Sequence, residues 1–129
     1  MRYLGIDYGT KKIGLALSNE DGTMAFPHAV IKNDSSLLQH LVQLIEEKGV
    51  DEVVIGESLN TDGQPNAVQS AVNELVTDLT LQVGLPVHLQ PGQYSTQAAM
   101  REQGRTNQTD ASAAALILDT FLHIKANQS

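Results

Sequence analysis

Apolar positions change their period along this chain, and the change predicts its elements. Tyr3 to Ile6 is a short apolar run that ends on an acid, Asp7. Gly9-Thr10-Lys11-Lys12 follows as a turn, and Ile13 to Ser18 resumes as a second strand. Asn19-Glu20-Asp21-Gly22 has the residues of a tight hairpin turn. Met24 to Ile31 is a third strand, interrupted by Pro27, which cannot donate to a ladder and so belongs on a sheet edge. Three strands joined by short turns predict an antiparallel meander.

The period then lengthens. Leu37, Leu38, Leu41, Leu44 and Ile45 recur at helical spacing, with Asp34 or Ser35 as the cap and Lys48-Gly49 as the end. Val53-Val54-Ile55 is a β-branched run of the kind found in buried strands. Leu59 to Gln64 is a loop with an Asp-Gly turn, and Ala67 to Val83 is a second helix whose Val68, Val72, Leu75, Val76 and Leu79 share a face. Pro86 to Leu89 predicts a fifth strand, Ser95 to Gln103 a short helix, and Asp110 to Lys125 an Ala-rich last helix. The order is β-β-β-α-β-α-β-α-α. Strands alternating with helices in the second half predict that strands four and five run parallel to strand one, with helices on both faces of a mixed five-stranded sheet. In such sheets ligands sit outside the carboxyl ends of the strands.

Length and composition narrow the class. The 129 residues suit one domain over residues 1–129, and 41% hydrophobic against 18% charged content is globular rather than disordered. There is no cysteine, which excludes disulfides and thiolate metal sites. No apolar run approaches a membrane span, and the N-terminus does not read as a signal peptide, so a cytoplasmic protein is expected. The net charge is −7, with 8 Lys and Arg against 15 acids. A nucleic-acid ligand therefore has to be met by a local basic patch or through divalent cations.

The candidate chemistry begins at Gly5-Ile6-Asp7-Tyr8-Gly9-Thr10. A strand that ends in Asp before a Gly turn projects a carboxylate from the sheet end. Such an acid holds a divalent metal for phosphodiester hydrolysis or a Mg²⁺-nucleotide, or it simply starts the turn. Asp110 opens the last helix either as an N-cap or, if Thr109 caps, as a first-turn acid aimed at the sheet end. Lys11 and Lys12 flank Asp7, Arg101 and Arg105 precede Asp110, and Asn60 lies in the loop after strand four. These are candidate substrate contacts, with solvated charge and turn chemistry as the competing roles. His28, His40, His88 and His123 fall on separate elements without ligand spacing and are expected to be structural or on the surface.

Four segments in order carry a family resemblance. "YLGIDYGTKKIGLALS", "DEVVIGESLNTDG", "GLPVHL" and "DASAAALILDTFL" together resemble the YqgF/RuvX family across nearly the whole chain. The first segment is shared with sugar kinases and actin-like ATPases, but those folds set two such domains around a cleft. The resemblance implies an RNase H-like fold and a nuclease site of three acids holding Mg²⁺ or Mn²⁺. It also implies a substrate of structured RNA or branched DNA: precursor 16S ribosomal RNA at its 5′ end, or Holliday junctions. Ribosomal precursors then become partners, and a homodimer is expected because one face has to meet a long polyanion.

Asp7 and Asp110 match two of the family's acids. The third does not carry over. Where the family has Asp-Glu-Arg after strand five, this chain has Pro91-Gly92-Gln93, then Tyr94-Ser95-Thr96. Glu57, just past strand four and beside strand one, is the candidate replacement, which makes the expected metal set Asp7, Glu57 and Asp110. The alternative is a family member that has lost catalysis and binds RNA or protein.

Overall fold

The computed structural model describes residues 1–9, 11–57, 67–91 and 107–127. Among the described residues eight elements follow one another: β1 (Tyr3–Tyr8), β2 (Lys12–Ser18), β3 (Ala25–Lys32), α1 (Leu37–Lys48), β4 (Glu52–Glu57), α2 (Ala67–Val83), β5 (Val87–Pro91) and α3 (Asn107–Asn127). The short helix expected at Ser95–Gln103 lies outside the described residues.

The strands form one sheet in the order β3-β2-β1-β4-β5. β1 pairs antiparallel with β2 and parallel with β4, β2 pairs antiparallel with β3, and β4 pairs parallel with β5. This is the mixed sheet that the periodicities predict. Pro27 sits on β3, which is an edge strand, and the pairing of β2 with β3 shifts at Leu15/Ala16.

Alternation along the strands divides the core into two layers. Leu4, Ile6, Ile13, Leu15, Val53 and Ile55 pack with Leu37, Leu41 and Ile45 of α1 and Val72, Leu75 and Leu79 of α2. Tyr3, Ala16 and Val54 face the other way and pack with Ala114, Ile117, Leu118 and Leu122 of α3. Helices thus cover both faces. Each fully buried Leu or Ile contributes about 1.5–3 kcal/mol of transfer free energy.

Three of the element ends that differ from the sequence reading bear on the site. β1 continues through Asp7 to Tyr8, and β4 continues to Glu57. Both acids are therefore in ladders rather than just beyond them. α3 begins at Asn107, so position 110 is the fourth helical residue, and neither it nor Thr109 occupies the N-cap. At α1, Ser36 rather than Asp34 or Ser35 stands at the N-cap and makes no side-chain cap bond. Asp34 instead closes an Asx turn: its Oδ1 accepts hydrogen bonds from the Ser36 backbone N–H (3.0 Å) and the Ser36 hydroxyl (2.8 Å).

Candidate nucleic-acid cleavage site

The candidate site is set by the approach of α3 to the sheet. Gly5 on β1 and Gly56 on β4 carry no side chain where the helix crosses them. A Cβ on Gly5 would lie 2.8 Å from Leu118 Cβ and 3.1 Å from the Ala114 carbonyl oxygen. A Cβ on Gly56 would lie 2.5 Å from Ile117 Cδ1. The two glycines let the small-residue face of α3 settle directly on the backbone of the central strands. At the other end of the same contact, the Tyr3 and Phe121 rings meet edge-on at 5.9 Å, and the Lys125 ammonium donates to the Tyr3 hydroxyl. α3 therefore runs antiparallel to β1.

Register arithmetic then locates Asp7. It lies two residues beyond Gly5, an advance of about 6.6 Å along the strand. The same advance is roughly four residues of helix at about 1.5 Å each. Gly5 faces Ala114 and Leu118, so Asp7 is level with the turn of α3 that contains position 110. Position 110 is also one turn before Ala114 and two turns before Ile117, on the helix stripe that meets the sheet. Asp7 is half-buried and in phase with Tyr3 and Gly5, on the α3 side. Its cross-strand partner on β2 is Gly14, and on β4 Gly56 follows Ile55, the partner of Ile6. Glycine thus occupies the neighbouring position on both adjacent strands.

Glu57 stands in a different relation. It is the last residue of β4, paired with Pro91, and in phase with Val53 and Ile55, whose side chains face α1 and α2. Position 57 is therefore out of phase with Asp7 by one residue. Glu57 and Asp110 are described in their backbone alone, and Asn60, Arg101 and Arg105 lie outside the described residues. Among the described residues, no three His, Asp or Glu side chains converge as a metal-binding group.

Lys11 in the β1–β2 turn and Lys12 at the start of β2 lie at the same end of the sheet, both exposed. Asn33 pins this turn: its side-chain amide donates to the Gly9 carbonyl at 2.8 Å, and its backbone N–H donates to the Lys11 carbonyl at 3.0 Å. Sequence reading passed over Asn33 and Lys32, because only the β2–β3 register brings them beside the turn. Away from this end, a groove along α1 and α2, lined by Ser36, Leu38, Val42, Glu46 and Gln82 among others, contains none of the candidate residues.

The histidines keep the expected structural character where their contacts are visible. His88 Nε2 lies 2.5 Å from Glu52 Oε1, and its ring stacks on Phe121 at 4.9 Å between centroids. His123 Nδ1 lies 2.8 Å from the Asp119 carbonyl one turn back on α3.

Comparison with known proteins agrees with this architecture. Residues 1–124 match the family model described as RuvX: Holliday junction resolvase. A protein of Maridesulfovibrio salexigens named "Putative pre-16S rRNA nuclease" is 35% identical over 132 residues, covering 95% of this chain and 98% of that protein. One of the same name from Rickettsia akari is 33% identical over 134 residues, covering 96% and 87%. Among solved structures, Thermus thermophilus RuvC in complex with a Holliday junction substrate superimposes with a TM-score of 0.66 at 16% identity, covering 98% of this chain and 96% of that one. The fowlpox virus Holliday junction resolvase gives 0.60 at 13% identity, covering 96% and 99%. At those identities the structures speak for the fold, which is the RNase H-like fold of the resolvases. The match of nearly the full chain to one family model, joined to relatives at one-third identity over almost their whole length, makes this chain a member of the RuvX family.

Proposed function

We propose that this protein is a metal-dependent nuclease that hydrolyses phosphodiester bonds in structured nucleic acid. Precursor 16S ribosomal RNA is the favoured substrate and branched DNA the second. The observation that carries the reading is the level of Asp7: a half-buried carboxylate on the central strand, flanked by glycine on β2 and β4, facing the turn of α3 that contains position 110.

The donor set fits Mg²⁺ or Mn²⁺, which prefer carboxylate oxygens in partial coordination shells completed by water. Asp7 and Asp110 are the residues that would hold the ion, and Glu57, at the end of the neighbouring strand and one residue out of phase with Asp7, is the proposed third acid. The bound cation would neutralise charge on the phosphate and make a water more acidic. The chain's own residues supply position. α3, held close by Gly5 and Gly56, fixes the height of Asp110 over Asp7. The pinned β1–β2 turn presents Lys11 and Lys12 to phosphate, and Asn60, Arg101 and Arg105 complete the proposed substrate contacts. The chemistry needs no covalent nucleophile. A cytoplasmic setting, association with ribosomal precursors and a homodimeric state belong to the same proposal. No helix among the described residues is long and apolar enough to cross a membrane.

The second reading is a binding module without catalysis, favoured by Pro91-Gly92-Gln93 in place of the family's acidic stretch. Gly and Gln offer no anionic oxygen to a hard cation. Cleavage of a structured precursor RNA and of a four-way DNA junction with Mn²⁺ separates the two. Activity abolished by Asp7→Asn and by Asp110→Asn supports the nuclease. Binding of either substrate with no cleavage at any Mn²⁺ concentration supports the module. Titration of Mn²⁺ into Glu57→Gln tests the third acid, and affinity equal to wild type removes Glu57 from the set.

A further inference from the structure

The sheet register exposes an arrangement that the sequence hides. Lys12 on β2 and Lys32 on β3 are direct cross-strand partners, and both are exposed. Like charges placed opposite one another on an antiparallel pair are destabilising. This pair persists although the chain has only 8 cationic Lys and Arg side chains in 129 residues.

Its face is settled by alternation. Ile13 and Ile31, the next pair along, belong to the α1–α2 side, where Ile13 is core and Ile31 packs against it. Lys12 and Lys32 therefore stand on the α3 side, the side of Asp7. Asp7 pairs with Gly14, two residues from Lys12, so Lys12 is its diagonal neighbour, about 7–8 Å away between Cα atoms. Lys32 lies one strand further out, about 12 Å from Asp7 by strand spacing and rise. Lys11 adds a third ammonium on the turn that Asn33 pins. On the other flank of Asp7, Gly56 and Gln90 are the cross-strand partners at the corresponding level, and neither is charged.

We infer that Lys12 and Lys32 form a phosphate-binding rail that carries one nucleic-acid strand away from the Asp7 site across β2 and β3, towards the β3 edge. Both ammonium groups are exposed on the face that carries Asp7, at a spacing comparable to that of successive phosphates in a polyanion. On this face the rail gives the substrate a path over the β2–β3 half of the sheet. The inference rests on the nuclease reading for the identity of Asp7 as the cleavage point. The rail itself is a matter of binding.

The test is fluorescence anisotropy with a labelled RNA hairpin in EDTA over a series of KCl concentrations. Wild type is compared with Lys32→Gln, Lys12→Gln, Lys32→Arg and, as a charge-matched control, Lys48→Gln at the far end of α1. Lys32→Gln is expected to weaken binding several-fold at low salt and to reduce the slope of log K against log salt by about 1. Lys32→Arg should restore the slope, and Lys48→Gln should keep it. A Lys32→Gln slope equal to that of Lys48→Gln, in a wild type that binds and cleaves, overturns the rail and leaves the nuclease intact. A Lys32-dependent slope in a protein that never cleaves with Mn²⁺ overturns the nuclease and leaves the rail.

Discussion

The two ends of the sheet's α3 face treat polar side chains in opposite ways. At the amino ends of β4 and β5, the fold answers its own charges. Glu52, with a side chain only 11% exposed, meets His88 at 2.5 Å through one oxygen and Lys125 at 3.8 Å through the other. Lys125 also donates to the Tyr3 hydroxyl and lies over the Tyr3 ring, while Phe121 stacks on His88. Five side chains from β1, β4, β5 and α3 thus close on one another. At the carboxyl end of β1, a carboxylate stands between glycines and two lysines oppose each other across β2 and β3. A polar group that the fold pairs internally serves stability. At the carboxyl end of β1 the lysines are exposed, where the charge of a ligand can reach them.

Breaking the open end gives the largest effect. Asp7→Asn is expected to lower metal-dependent cleavage by more than about 100-fold, beyond the 10–100-fold typical of groups behind a metal's ligands. The urea midpoint should barely move, because the substitution is nearly isosteric. A large loss of stability instead would place Asp7 with the structural charges of the closed end.

The seating of α3 joins the two ends, and it comes next. Gly5→Ala drives a Cβ against Leu118 Cβ and the Ala114 carbonyl, neither of which can swing aside. Overpacking of this kind costs about 1–3 kcal/mol. Gly56→Ala meets only the flexible tip of Ile117, so it should cost less in the same denaturation series. Equal costs would mean that α3 is not held by the backbone contact at Gly5.

Breaking the closed end should affect stability and spare cleavage. Glu52→Gln removes the anion between His88 and Lys125, and loss of hydrogen bonds to a largely buried charge costs about 2 kcal/mol. Unchanged cleavage in a destabilised Glu52→Gln protein sharpens the contrast, and lost cleavage at full stability breaks it.

Two pH effects are smaller. The hydrogen bond to Tyr3, and secondarily the Glu52 charge, raise the Lys125 ammonium above its ordinary 10.5 against partial burial. A raised folded value means a contribution that is complete below about pH 10.5 and lost as pH climbs through the folded value. Above about pH 10.5, as pH climbs through the folded value, wild type should lose more stability than Lys125→Gln. Asp34 is the mirror case. The Ser36 hydroxyl, then the Ser36 backbone N–H, hold its carboxyl below the ordinary 3.8. Its contribution is present above that value and lost as pH falls through the depressed one. Ser36→Ala should lower stability slightly at neutral pH, and its difference from wild type should vanish as pH falls below the depressed value.

The sequence by itself determined the elements and their order. Period-two runs in the first third, period-3.6 runs afterwards, Pro27 at an edge and the return of a β-branched run at Val53 were enough for the mixed sheet. Local propensity and patterning act within a few residues and so survive in a linear reading. The acids at Asp7 and Asp110 were visible for the same reason, as residues at recognisable ends of runs. Element ends were less legible. Asp7 and Glu57 lie inside ladders and position 110 lies inside α3, because pairing with a neighbouring strand, or packing on the sheet, extends an element beyond its apolar signal.

Only the tertiary structure decided which residues share a face. The opposition of Lys12 to Lys32, the phase difference between Asp7 and position 57, and the closure of Glu52 on His88 and Lys125 all depend on register between segments far apart in the chain. A shift of one residue in pairing moves every side chain to the opposite side of a sheet. Register is fixed by the joint packing of two cores and one closely seated helix, and no single segment of the sequence contains that information.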